Sequence, residues 1–177
     1  MDSPVTPQRG ATEQVAVRIG IVDASRAADA VRLLKETARW LIDRGIGHWS
    51  VDEIRTEDFR AAAEAGELVI GFEDGEAAAV MLLQSVDVAY WPTEAQGSAL
   101  YIHKLAVRRA SAGRRWSARL IEWAAAQARA RGIPRLRLDS LPGSVLQKLY
   151  EADGFTVVDP RPVRVGTVTV IRMERML

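Results

Sequence analysis

The chain has 177 residues and a mass of 19.5 kDa, which fits one domain and is long enough to bury a core without cross-links. It contains no cysteine and only two histidines, His48 and His103, far apart. That excludes a disulfide scaffold, thiol catalysis, iron–sulfur clusters and thiolate sites, and no metal is expected.

The net charge of +1 hides an asymmetry: Leu41–Leu100 carries three basic against twelve acidic residues, and Tyr101–Arg137 ten basic against one acidic. Opposite fields on the two halves suit a polyanionic ligand at one and a cationic or amine ligand at the other. The competing account is that both are solvated helix faces. The basic stretch lacks interleaved aromatics and matches no groove-reading motif, so no nucleic-acid partner is expected. No apolar run approaches the roughly 18 residues of a membrane span, and no charged-then-apolar leader opens the chain. A soluble, cytoplasmic protein is the expectation.

Residues 1–14 are polar with two prolines and read as a disordered leader, leaving 15–177 as a single domain. Val15–Asp23 alternates and is β-branched, which predicts a strand. Ser25–Arg44 places Ala27, Val31, Leu34, Ala38, Leu41 and Ile42 at helical spacing, with Gly45 as its stop. Ser50 and Glu53 form a capping-box pair that predicts a second helical region through Phe59 to Ala65. Asp74-Gly75 between Glu67–Glu73 and Glu76–Ser85 predicts a hairpin. Asp87–Ser98 is a loop holding Tyr90, Trp91 and Pro92. Ala99–Arg108 is a strongly apolar strand, Arg114–Arg131 a helix closed by Gly132, and Pro134–Asp139 a strand. Ser144 with Gln147 is a second capping box, opening a helix to Asp153; Phe155–Asp159 and Val165–Met173 are closing strands. The order describes an α/β fold of the mixed α+β kind, a central mixed sheet of about seven strands with helices on both faces.

Three segments, "YIHKLAVRR", "AGRRWSARLIEWA" and "LYEADGF", resemble the central strand, the pyrophosphate loop with its helix, and the tyrosine helix with its next strand in the GNAT superfamily of acyl-CoA-dependent N-acetyltransferases. With the element order upstream, the resemblance covers about 155 residues. It implies acetyl-CoA as co-substrate and a small-molecule or peptide amine as acceptor, in a monomer or homodimer. It also implies that the backbone of Leu105, Ala106 and Val107 pairs with the pantetheine arm. The pyrophosphate falls to Ala112, Gly113, Arg114, Arg115, Trp116 and Ser117. A strand running into a helix N-terminus offers unpaired N–H groups to an anion. Arg108, Arg109, Arg114, Arg115 and Arg119 cluster around this turn, enough charge for bidentate phosphate contacts. The loop departs from the family pattern, with Arg115 and Ser117 where it has glycine and glycine or alanine; a glycine there lets the backbone approach phosphate.

Acetyl transfer to an amine needs a base for the ammonium proton and an acid for the departing thiolate. By resemblance the acid is Tyr150; its alternative is packing against Phe155. Tyr101, His103, Leu105 and Val107 share one strand face by period two, and the family places bases at the first two of these positions. His103 has the intrinsic pKa of a base near neutrality. It reads equally as a hydrogen-bonded histidine under the sheet. His48, Trp49, Tyr90 and Trp91 sit in the loops where the family builds its acceptor pocket, and tryptophans also simply cover cores. Asp139, at a strand's carboxyl end, reads as a loop cap. Two other functions stay open: a GNAT-fold enzyme that has abandoned CoA for other acid–base chemistry on a small metabolite, and a non-catalytic ligand-binding protein.

Overall fold

The computed structural model describes residues 16–46 and 49–177. The leader expectation and His48 therefore lie outside the described residues. In chain order the elements are β1 (Val17–Ile21), a 3-10 turn at Ala24–Arg26, α1 (Ala27–Ile42), α2 (Thr56–Glu64), β2 (Leu68–Glu73), β3 (Glu76–Gln84) and β4 (Leu100–Val107). A second 3-10 turn at Arg109–Ser111 leads to α3 (Trp116–Ala130), β5 (Arg135–Ser140), α4 (Val145–Ala152), β6 (Thr156–Val157), β7 (Val163–Val165) and β8 (Val168–Met176). Among the described residues this makes a sheet of order β1-β2-β3-β4-β5-β8-β6, with β7 hairpinned onto β8. All pairings are antiparallel except β4 with β5.

β2 and β3 read as unbroken apolar runs because both faces of the sheet are covered. Leu68, Ile70, Phe72 and Val80 pack under α1 and α2, and Val69, Met81 and Leu83 under α3. Gly71 is required by a close approach: a Cβ there would stand 2.4 Å from the Trp116 ring. Trp116, which the resemblance assigned to the pyrophosphate loop and helix start, has its side chain in the core, 1% exposed. The Asp74-Gly75 turn forms as predicted, both residues at positive φ. No helix among the described residues is long and apolar enough to cross a membrane.

Three expectations shift. The second helix opens at Thr56, not at Ser50: Val51 starts a turn closed by the Ile54 N–H on its carbonyl, Ile54 is buried (3% exposed), and Arg55 is extended. Glu57 and Asp58 then supply first-turn acids to the helix N-terminus. The closing region holds one strand more than predicted, since Gly166 at positive φ folds β7 back on β8. Finally, β4 carries a bulge. Its register with β3 runs Val80↔Ala106 but Leu82↔His103, and Lys104 has φ +52°. The extra residue inverts the alternation beyond it. Leu105 and Val107 pack on the α3 side with Leu100 and Ile102, while Tyr101 lies in a separate cluster with Trp91 and Ala99. Tyr101, His103, Leu105 and Val107 therefore do not share a face.

Candidate functional site

β4 and β5 pair only at Leu100↔Leu136 and Tyr101↔Arg137. Beyond those residues the strands part, and the β5-facing edge of β4 loses its partner. A cavity of about 700 Å³ opens there, bounded by the end of α1, the segment after it, the edge of β4, the end of β5 and α4. Of the residues singled out from the sequence, Trp49, Tyr90, His103, Leu105, Ala106, Val107, Ser117 and Tyr150 line it. Tyr101, Trp91, Ala112, Gly113, Arg114, Arg115 and Trp116 do not.

α4 reaches the cavity because Ser144 accepts a hydrogen bond from the Gln147 N–H at 3.2 Å, while the Gln147 side chain accepts from the Gly143 N–H at 2.7 Å. The capping pair forms as predicted, with its return bond one residue earlier. This helix buries no residue fully; its apolar side, Val145, Leu146, Leu149 and Tyr150, is cavity wall. The Tyr150 ring lies edge-on to Phe155, centroids 6.1 Å apart. Burial, then the charges of Asp139 and Asp153, push its phenol well above the ordinary tyrosine value.

His103 bridges the gap between the strands. Its Nε2 is 3.0 Å from Asp87 Oδ2 and its Nδ1 is 3.5 Å from Asp139 Oδ1. Burial works against the charged ring, but the two carboxylates outweigh it and raise His103 to about 9. That favours the imidazolium at neutral pH over a base titrating near its ordinary value, one of the two readings of His103 left open by the sequence. Burial pushes Asp87 up, and His103 with the N–H groups of Tyr90 and Ala89 more than reverses this. The Tyr90 ring stands 5.7 Å from the imidazole.

The loop between β3 and β4 is strapped down from the far side. Arg137, 3% exposed, binds Glu94 and Glu174 at 2.8 Å each and stacks over Trp91 at 4.0 Å. Arg172 also lies over the Trp91 ring, and its guanidinium donates to the Tyr90 carbonyl at 3.4 Å. Trp91 is thus an anchor of this loop, 5% exposed, rather than a wall of the pocket. Tyr101 belongs to the same anchor, its hydroxyl 3.5 Å from Arg137.

At the other end, the arginines of the β4–α3 turn are divided. Arg114 pairs with the nearly buried Glu73 at 2.5 Å, Ser111 donates to the same carboxylate at 3.0 Å, and Arg108 lies 3.8 Å from it. Arg114 holds the Glu73 carboxyl below its ordinary range. Arg109 stacks on Trp40 at 3.8 Å, with Arg44 also over that ring at 4.2 Å, and its backbone N–H donates to Glu36. Arg115 caps α3 at φ +57°, the conformation that glycine adopts most readily. Asp87 and Asp139 carry the polar chemistry of the gap; Asp139 was read from its place at a strand's carboxyl end as a loop cap, and Asp87 was not singled out.

The family model for the acetyltransferase (GNAT) family matches residues 34–155. A curated relative from Bacillus subtilis (strain 168), the uncharacterized N-acetyltransferase YesJ, is 32% identical over 130 residues, covering 70% of this chain and 72% of the relative. A GNAT-family acetyltransferase structure from Listeria monocytogenes 4b F2365 superposes at TM-score 0.74 with 22% identity, covering 92% of this chain and 95% of that one. The PaiA N-acetyltransferase of Thermoplasma acidophilum, solved in complex with coenzyme A, gives 0.72 with 16% identity over 92% and 99%. The structures bear on the fold; the span of the family match and the identity to the Bacillus relative show that this chain belongs to the acetyltransferase (GNAT) family.

Proposed function

We propose that the protein is an acetyl-CoA-dependent N-acetyltransferase that transfers acetyl directly to the amine of a small molecule or peptide. The observation that carries this reading is the unpartnered edge of β4, which faces a cavity reaching from Arg109 and Ser117 at one end to His103, Asp139 and Tyr150. The residues present suit the co-substrate. Backbone groups of Leu105, Ala106 and Val107 lie on that edge without a β5 partner and would hold the pantetheine arm. The first N–H groups of α3, from Trp116, Ser117 and Ala118, have no acceptor within the helix and would hold the pyrophosphate. Arg109 and Arg115 lie at this end; Arg114 and Arg108 are engaged by Glu73, which fixes the turn rather than the ligand.

When bound, acetyl-CoA supplies an acyl thioester whose C–S bond is exchanged for a C–N bond to the acceptor. Tyr150 keeps its proton at any physiological pH and is the donor for the departing sulfur. An ammonium acceptor gives up two protons in the exchange: one replaces the proton lost by Tyr150, the other leaves to solvent. His103 holds both its ring protons at neutral pH, so its part is electrostatic and positional below about pH 9. Calorimetry with acetyl-CoA, followed by thiol release over a panel of amines, tests the reading. Heat of binding and amine-dependent thiol release are expected. No heat and no thermal shift at millimolar acetyl-CoA would overturn it in favour of a GNAT-fold protein that does not use CoA.

A further inference from the structure

His103 presents a carboxylate oxygen to each of its ring nitrogens, Asp87 at 3.0 Å and Asp139 at 3.5 Å. A neutral imidazole has one N–H and one lone pair, so in either tautomer one of these contacts would set a lone pair against an anion. The imidazolium is the form whose charge suits both carboxylates, and the two contacts are close ion pairs rather than aligned hydrogen bonds, since Asp87 Oδ2 is buried without a hydrogen-bond partner. The three groups then carry a net charge of −1 in a partly dry setting, where that charge is felt more strongly than in water. The two ends differ. Asp87, its side chain 5% exposed, is closed off: its Oδ1 accepts the Tyr90 N–H at 3.1 Å, and its loop is pinned through Trp91 and Glu94 to Arg137. Asp139, 18% exposed, faces the cavity, and among the described residues no side chain other than His103 pairs with it. The groups facing this unit are Tyr90 from the β3–β4 loop and Tyr150 from α4, both neutral phenols; the neighbouring Lys104 turns its ammonium over the Trp49 ring, 5.4 Å away.

We propose that Asp139 is the carboxylate that anchors the ammonium of the acceptor, and that His103 and Asp87 are positioning residues that aim it. An ammonium at the free side of Asp139 gains a charge-assisted hydrogen bond and neutralises the unit, while the protons on His103 keep the carboxylate from turning away. An anionic ligand meets the unit's net negative charge instead. The word acceptor rests on the acetyl-transfer reading above; the ammonium site itself does not.

The full-length protein labelled with 15N-histidine tests this, with His48→Gln assigning the two rings. At pH 7 His103 is expected to show both nitrogens protonated, and to titrate far above an ordinary histidine. Asp87→Asn and Asp139→Asn each return it toward the ordinary value, an effect that loss of packing alone would not produce. Added phenethylammonium shifts the His103 signals and phenylacetate does not. Asp139→Asn weakens that response by about tenfold or more, the range for a hydrogen bond to a charged group, and Asp139→Glu restores part of it. A neutral His103 at pH 7, or phenethylammonium binding as well to Asp139→Asn as to the wild type, overturns the proposal. Calorimetry with acetyl-CoA on the same sample separates the two readings: ammonium binding without acetyl-CoA binding upholds the anchor and removes acetyl transfer.

Discussion

At the β4–α3 turn the charged side chains are half-exposed, close in sequence, and tied either to one nearly buried acid, Glu73, or to the Trp40 ring. At the gap between β4 and β5 they are mostly shielded, Asp87 buried and His103 and Asp139 partly so, and they come from three separate elements that bring the imidazole within 3.0 and 3.5 Å of the two carboxylates. The first region is a motif with a scaffold beneath it; the second is a product of packing alone. The contrast bears on charge as well. The acidic and basic halves of the chain pair with each other, Glu73 with Arg114 and Arg108, Glu94 with Arg137, and Asp87 with His103. Part of the asymmetry counted along the sequence is therefore cancelled inside the fold, and what remains to draw in a ligand is smaller than the count suggests.

Three substitutions or titrations test this contrast. The largest effect is expected at the buried end, from Tyr150→Phe. The ring and its contact with Phe155 stay, the proton goes, and turnover should fall on the order of 10²-fold or more with acetyl-CoA affinity nearly unchanged. Wild-type turnover, measured by thiol release at saturating substrates, would reduce Tyr150 to packing and leave the gap without its acid.

Next comes the pH dependence of stability. His103 stands at about 9 in the folded protein against an ordinary value of 6.5, so the folded state binds the proton more tightly than the unfolded chain. That contribution, on the order of 3 kcal/mol, is complete below pH 6.5 and is lost as pH rises through about 9. Thermal melts between pH 6 and 10 should show the wild type losing stability over that window, and His103→Gln losing much less. Parallel profiles for the two proteins would mean that the carboxylates do not clamp the ring.

The smallest effect belongs to the exposed end. Arg115 holds a left-handed conformation at φ +57°, which costs a side-chain-bearing residue about 1–2 kcal/mol. Arg115→Gly should relieve about 1 kcal/mol and raise Tm by about 2–4 °C, while Arg115→Ala, which keeps the strain, should not. Burial raises the Asp153 carboxyl above its ordinary value and the nearby Arg115 charge opposes that rise; a drop in Tm for the glycine variant would show that this attraction outweighs the backbone strain.

Much of the frame was legible from local pattern. Asp74-Gly75 announces the β2–β3 hairpin, Gly132 the end of α3, and Ser144 the start of α4. Those signals act over a few residues, through backbone dihedral preference, capping and periodicity, and need no knowledge of the rest of the chain. The bulge at Lys104 did not announce itself: a lysine carries no sign of positive φ, and one extra residue sent Leu105 and Val107 to the face opposite the one expected. Trp91 looked like a loop aromatic until the Arg137 guanidinium came to lie against it, and nothing local in the sequence tied Trp116 to the bare Cα of Gly71. The same holds for the protonation of His103. The residue's type suggests a base near neutrality, but the state of its proton depends on Asp87 and Asp139, sixteen residues before it and thirty-six after, and only the parting of β4 from β5 decides that both carboxylates meet one ring.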